Sequence, residues 1–192
     1  MTSTDDVLNK AKSPPVIDGF EVLDACHVQT LFALGKLAAL VSRLTHAGPD
    51  AEARALAGEI VAFFSTTSRQ HHEDEERHVF PKLVTVGKPD IVQAVLRLQQ
   101  DHSWIEEDWM ELEPQLDALA CGQDWYDVDI LREGVEIFAA LTSDHIALEE
   151  SVIYPEARKR LLVAEHQEMG REMAARKRAQ QKARAAAKRA RP

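Results

Sequence analysis

HHEDEERHVFP, residues 71–81, and HIALEESVIYP, residues 145–155, carry one chemical pattern twice. Each runs His-x-x-x-Glu-Glu, then three residues, then an aromatic and a proline. On an α-helix a four-residue step returns a side chain to the same face one turn on. His71 therefore stacks over Glu75, and His145 over Glu149. An imidazole and a carboxylate one turn apart, on two helices, is how a helical bundle builds a carboxylate-bridged two-metal site in its interior. The repeat predicts an all-α chain with a metal centre between its helices.

The rest of the sequence supplies the helices. A first one runs from Val16 or Phe20 to His46, with Phe20, Leu23, His27, Leu31, Leu34, Ala38 and Val41 facing inward at alternating steps of three and four. A second spans 50–86, with Leu56, Ile60, Phe64, Thr67, His71, Glu75 and Val79 inside. A third covers 90–119 on a heptad of Leu98, His102, Ile105, Trp109, Leu112, Leu116 and Leu119, with Pro114 expected to kink it. The fourth begins near Val128 and turns Leu131, Phe138, Leu141, His145, Glu149 and Val152 inward. Short polar connections imply an antiparallel up-down-up-down four-helix bundle over residues 16–160. A flexible arm, 1–15, precedes it, and a basic, Ala-rich extension, 161–192, continues it as a solvated or fraying helix.

Composition narrows the function classes. The 192 residues are 45% hydrophobic and 29% charged, which is globular. No apolar run is expected to reach the ~20 residues that cross a bilayer. The opening MTSTDDVLNK lacks an apolar core segment, so no secretory signal is expected. The two cysteines, Cys26 and Cys121, support neither a disulfide framework nor a thiolate zinc site, which points to a reducing cytoplasm. The net charge of −9 conceals an asymmetry: from Arg171 onward nine Lys/Arg face one acid, leaving 14 basic and 31 acidic residues in 1–170. The body repels nucleic acid, so a nucleic acid or acidic protein could be engaged only through the tail.

Each helix contributes one histidine to its inner stripe: His27, His71, His102 and His145. Four buried imidazoles and two carboxylates need a shared charge partner, because an uncompensated buried polar group costs roughly 1–3 kcal/mol. Donors of this kind without thiolate suit Fe, Mn or Zn. The doubled residues leave a choice of register between His71/Glu75 and His72/Glu76. The second copy has a single histidine, and its Glu149 stands six residues before Pro155. The same offset from Pro81 selects Glu75 and hence His71. His72, Glu76 and Glu150 are then outer groups, with Glu150 a rival bridge.

The order H…HxxxE…H…HxxxE, with Phe-Pro and Tyr-Pro after the two repeats and Asp101-His102 between them, resembles the hemerythrin-like (HHE cation-binding) family over residues 20–160. The resemblance implies two non-haem irons ending on the four histidines, bridged by Glu75, Glu149 and an oxo or hydroxo group. Oxygen-carrying members place a further histidine one turn after the third-helix histidine; here that residue is Glu106. Glu106 is either a solvated acid in the run Glu106-Glu107-Asp108 or, lying between His102 and Trp109, a further ligand, and it is counted as a candidate. The expected ligand set is His27, His71, Glu75, His102, Glu106, His145 and Glu149. The resemblance implies an iron pair that binds or reacts with dioxygen, peroxide or nitric oxide. Whether this includes turnover, as in peroxide consumption, stays open, as does a metal-dependent binding module acting through the basic tail.

Overall fold

The computed structural model describes residues 17–190, so the expected arm, 1–15, lies outside the described residues. Every regular element among them is helical. α1 spans Gly19–Ala47. The second run comprises α2 (Ala51–Phe63), a π segment (Phe64–Ser68), α3 (Arg69–His78) and α4 (Phe80–Val86). α5 spans Pro89–Ala120 with Pro114 inside it. The last run comprises α6 (Val128–Leu148), a second π segment (Glu149–Ile153) and α7 (Tyr154–Arg160), and α8 (Val163–Ala190) completes the chain order.

Local chemistry sets the boundaries. Asp18, Asp50 and Asp127 cap α1, α2 and α6, each accepting from a backbone N–H of the first turn. Gly48 closes α1 at φ 74°, a conformation that side chains resist. Pro81 and Pro155 sit in the first turns of α4 and α7, where a missing N–H costs nothing.

α1 and α5 each pack against both α2 and α6, and α8 returns across α1. The apolar interior falls into two clusters. One gathers Leu34, Leu37, Leu40, Ile60, Phe64, Ile105, Trp109, Leu116 and Phe138. The other gathers Phe20, Leu23, Phe80, Leu83, Leu98, Ile153, Tyr154, Met169 and Met173. Between them, on every run, lie buried polar residues: His27, then His71, His72, Asp74 and Glu75, then Asp101 and His102, then His145 and Glu149.

Three expectations change. Leu31, Ala38 and Thr67 face solvent, while Leu37, Leu40 and Ser68 are buried. At Ser68 the cause is the π segment, whose wider turn takes up an extra residue and rotates α3 relative to α2. The start of the C-terminal extension is not loose, since Met169 and Met173 are 1% and 5% exposed. The helices meet closely there: a Cβ on Gly19 would fall within 2.2 Å of the Met169 side chain, and one on Gly170 would fall within 2.1 Å of the Ile17 carbonyl. Two methionines thus cover Phe20 and Leu23, which the bundle leaves open. Finally, α1 is long and apolar enough to cross a membrane by composition, with a mean hydropathy of 1.3. Here its inner face, with His27, is buried among the other helices.

Candidate metal centre

The two π segments bear directly on the site. The first ends three residues before His71, and its extra residue brings both His71 and His72 inward, each 6% exposed. The second begins at Glu149, which is completely buried. Single π turns of this kind are frequent at functional sites because they redirect one side chain without breaking the helix.

Two four-residue groups, with donor atoms all within 4.8 Å of one another, share both carboxylates: His27, His71, Glu75 and Glu149 form one, and Glu75, His102, His145 and Glu149 the other. Glu149 reaches each half with a different oxygen. Its Oε2 lies 3.1 Å from His27 Nε2 and its Oε1 3.1 Å from His145 Nε2. Glu75 directs Oε2 between His71 Nε2 at 3.4 Å and His102 Nε2 at 3.5 Å. Its Oε1 accepts a hydrogen bond from the Tyr154 hydroxyl.

Three of the imidazoles face carboxylates at their outer edges. His27 Nδ1 is 3.1 Å from Glu150 Oε1, His102 Nδ1 is 2.9 Å from Glu76 Oε1, and His145 Nδ1 is 3.9 Å from Asp101 Oδ2. A carboxylate on the outer nitrogen fixes the ring and turns the basic inner nitrogen toward a cation.

The donor set fits a metal pair. Nε2 of His71, His102 and His145, Oε2 of Glu75 and both oxygens of Glu149 are buried without a hydrogen-bond partner. Orphaned buried atoms are rare and expensive, and here they converge. Their protonation agrees. Burial pushes His71 down against the pull of Glu75, and burial with the neighbouring His102 and His71 pushes His72 well down. Burial would raise Glu75, but the positive potential of His71 and His102 holds it well below the ordinary carboxylate range. His145 moves the other way: burial opposes its charge, yet Glu149 and Asp101 raise it to about 10. Burial likewise opposes charging of His27, but contact with Glu149 outweighs it and the net shift is upward. His145 thus holds a proton that a cation would displace.

Residues 18–157 match the hemerythrin HHE cation binding domain family. The chain belongs to that family. A Haemophilus influenzae protein described only as an uncharacterized protein is 31% identical over 157 residues, covering 82% of this chain and 88% of that one. For this hemerythrin-like chain the family match agrees with a His/Glu cluster that could hold cations.

Six of the seven expected ligands come together: His27, His71, Glu75, His102, His145 and Glu149. Glu106 does not. It is 45% exposed and faces Arg69 at 3.7 Å. One turn beyond His102 leads to the seam with α3, while Ile105 and Trp109 take the inward arc. The place beside His102 is held instead by His72, whose ring stacks on it at 4.1 Å and 11°, and His72, His102 and His145 form a third close group. A register framed as a choice between two pairs hides His72; the doubled histidine is the signal that both can lie inside. Tyr154, in the second repeat, also belongs to the site. It stacks on His27 at 5.1 Å, its hydroxyl lies 3.2 Å from His27 Nε2, and burial with Glu75 and Glu149 raises its pKa well above the ordinary value.

Proposed function

We propose that this hemerythrin-like chain is a cytoplasmic non-haem di-iron protein, an antiparallel four-helix bundle whose iron pair binds or reacts with dioxygen, peroxide or nitric oxide. The observation that carries the reading is the sharing of Glu75 and Glu149 by two groups of buried donors. One octahedral ion would leave much of that donor set unused.

In this reading His27 and His71 would hold one ion and His102 and His145, with His72 beside them, the other, with Glu75 and Glu149 shared between the two groups. Tyr154 restrains Glu75 through its Oε1. A bound iron pair would supply one-electron redox steps at each ion and a Lewis-acidic position for a small ligand. The chain's own work is to exclude water with two apolar clusters, to hold the imidazoles of His27, His102 and His145 by their outer carboxylates, and to keep a proton at the Tyr154 hydroxyl beside His27 Nε2 and Glu75. Iron reconstitution of the full chain under anaerobic conditions, with metal analysis of the product, should return two irons per chain. The oxidised protein should then show a near-ultraviolet ligand-to-iron band. One iron or fewer, or a preference for zinc, overturns the reading.

A second reading rests on α8. Beyond Arg176, which binds Asp74, Lys177, Arg178 and Lys182 are exposed. They could meet an acidic protein or nucleic acid, with the metal centre setting bundle stability. Binding of such a partner that is lost on removal of residues 177–192 would favour this reading.

A further inference from the structure

A cavity of about 220 Å³ lies between the π segment Phe64–Ser68 and α5, and His72 is part of its lining. Phe64, Ile105, Trp109 and Phe138, all buried, form its apolar walls. Arg69 and Glu106, paired at 3.7 Å with side chains 64% and 45% exposed, also line it, and so does Met110, 63% exposed. An ion pair this exposed yields readily to an entering molecule.

The dimensions are informative. A dioxygen, peroxide or nitric oxide molecule needs little more than the ~30 Å³ that a water occupies in the liquid. An apolar cavity of ~150 Å³ already holds benzene. The space here therefore takes a six-membered ring with a small substituent. The walls suit a ring as well, since Phe64, Trp109 and Phe138 are mutually tilted or edge-on with centroids 5.0–5.8 Å apart, leaving faces and edges of opposite polarity to meet it. The rest of the lining is polar: Ser65, Ser68, Arg69, His72, Glu106 and Glu113, with Arg69 and Glu106 paired to each other. Ser65 is already engaged, donating to Glu113 at 2.6 Å and accepting from Trp109 Nε1 at 3.2 Å. His72 brings an imidazole to the same lining. Aromatic walls beside convergent polar groups are features of small-molecule sites.

We infer that this cavity binds a small aromatic molecule carrying one hydroxyl-type oxygen, with the ring among Phe64, Ile105, Trp109 and Phe138 and the oxygen directed to His72. Because His72 also belongs to the group with His102 and His145, the bound molecule stands beside one half of the centre. This names a ligand class for the site proposed above and rests on that reading for its relation to iron, although binding itself requires none.

Phenol is the probe. Titrated calorimetrically into the metal-free and the iron-loaded full chain, it should bind saturably to both, and saturation-transfer NMR should show the ring protons in closest contact. Met110→Trp, a change at an exposed position of the lining, should weaken binding at least tenfold while leaving the thermal midpoint unmoved. Ile105→Trp, which fills the cavity, should do the same where its NMR spectrum shows a folded chain. Absence of saturable binding to either form overturns the inference, as does unchanged affinity in Met110→Trp. Phenol binding by a chain that takes up fewer than two irons removes the di-iron reading and leaves the cavity assignment standing. Two irons without phenol binding does the reverse.

Discussion

Tyr154 donates its hydroxyl hydrogen bond to Glu75 Oε1, so the second repeat restrains a carboxylate of the first. Their sequence separation is 79 residues. Because that oxygen is occupied, Glu75 offers the centre chiefly its other one, whereas Glu149 offers both. Tyr154→Phe removes the donor and leaves a buried anionic oxygen unpaired. Metal-free Tyr154→Phe should lose about 1.5–3 kcal/mol in urea denaturation. The loaded variant should show a shifted iron absorption band. A change in stability with no spectral change would reduce Tyr154 to a packing residue.

Carboxylate replacements separate bridges from supports. Glu75→Ala or Glu149→Ala should abolish paired-metal binding, since two nearby cations lose the anion that screens them in a low-dielectric interior. Glu76→Ala only frees the outer edge of His102, so two ions per chain should remain with affinity lowered roughly 10–100-fold. Glu106→Ala should leave both stoichiometry and affinity as they were. Competition with a chromophoric chelator distinguishes these cases. An empty site in Glu76→Ala beside a full one in Glu75→Ala would shift the register by one residue.

His72→Phe keeps a ring stacked on His102 but removes both nitrogens. The expected result is a selective weakening of the ion held by His102 and His145, seen as uptake in two separate steps where the parent shows one. His71→Phe should weaken the other ion. Perturbation of the same iron's spectroscopic signature in both variants would contradict the division of labour.

His145 makes metal uptake a proton-releasing event. Glu149 and Asp101 raise its pKa to about 10 from an ordinary 6.5, against the opposing effect of burial. Near pH 7 the metal-free chain therefore holds a proton there that a cation must displace. Affinity should rise with pH, and calorimetric uptake at pH 7 in buffers of different protonation enthalpy should report protons released. The sign for stability is opposite. A raised histidine stabilises fully below its unfolded value of 6.5 and loses that contribution as pH climbs toward about 10. The metal-free midpoint should fall across that window, and a flat profile would count against a proton shared with Glu149.

Met169→Ala tests the docking of α8. The side chain is 1% exposed against α1, so truncation should cost about 2–5 kcal/mol. A loss below about half a kilocalorie per mole, within the range of ordinary surface substitutions, would return α8 to the status of a solvated tail.

The helical character, the α5 stripe from Leu98 to Leu119 and the gathering of His27, His71, Glu75, His102, His145 and Glu149 are all legible in the amino-acid order. They depend on spacing along single helices, and the period of an α-helix is known in advance. Legibility ends where the period itself changes: the π segment at Phe64–Ser68 exchanges Thr67 for Ser68 and admits His72.

Spacing along the chain is enough to require that two His-x-x-x-Glu faces meet two further histidines, because burying that much polarity has no other low-cost solution. The surroundings of those six residues depend instead on how the helices meet. Glu106 faces Arg69 where α5 meets α3, the folding back of the last run brings Tyr154 to Glu75, and α8 packs two methionines with Phe20 and Leu23. These are relations between helices far apart in the chain, and no local period encodes the distance between them.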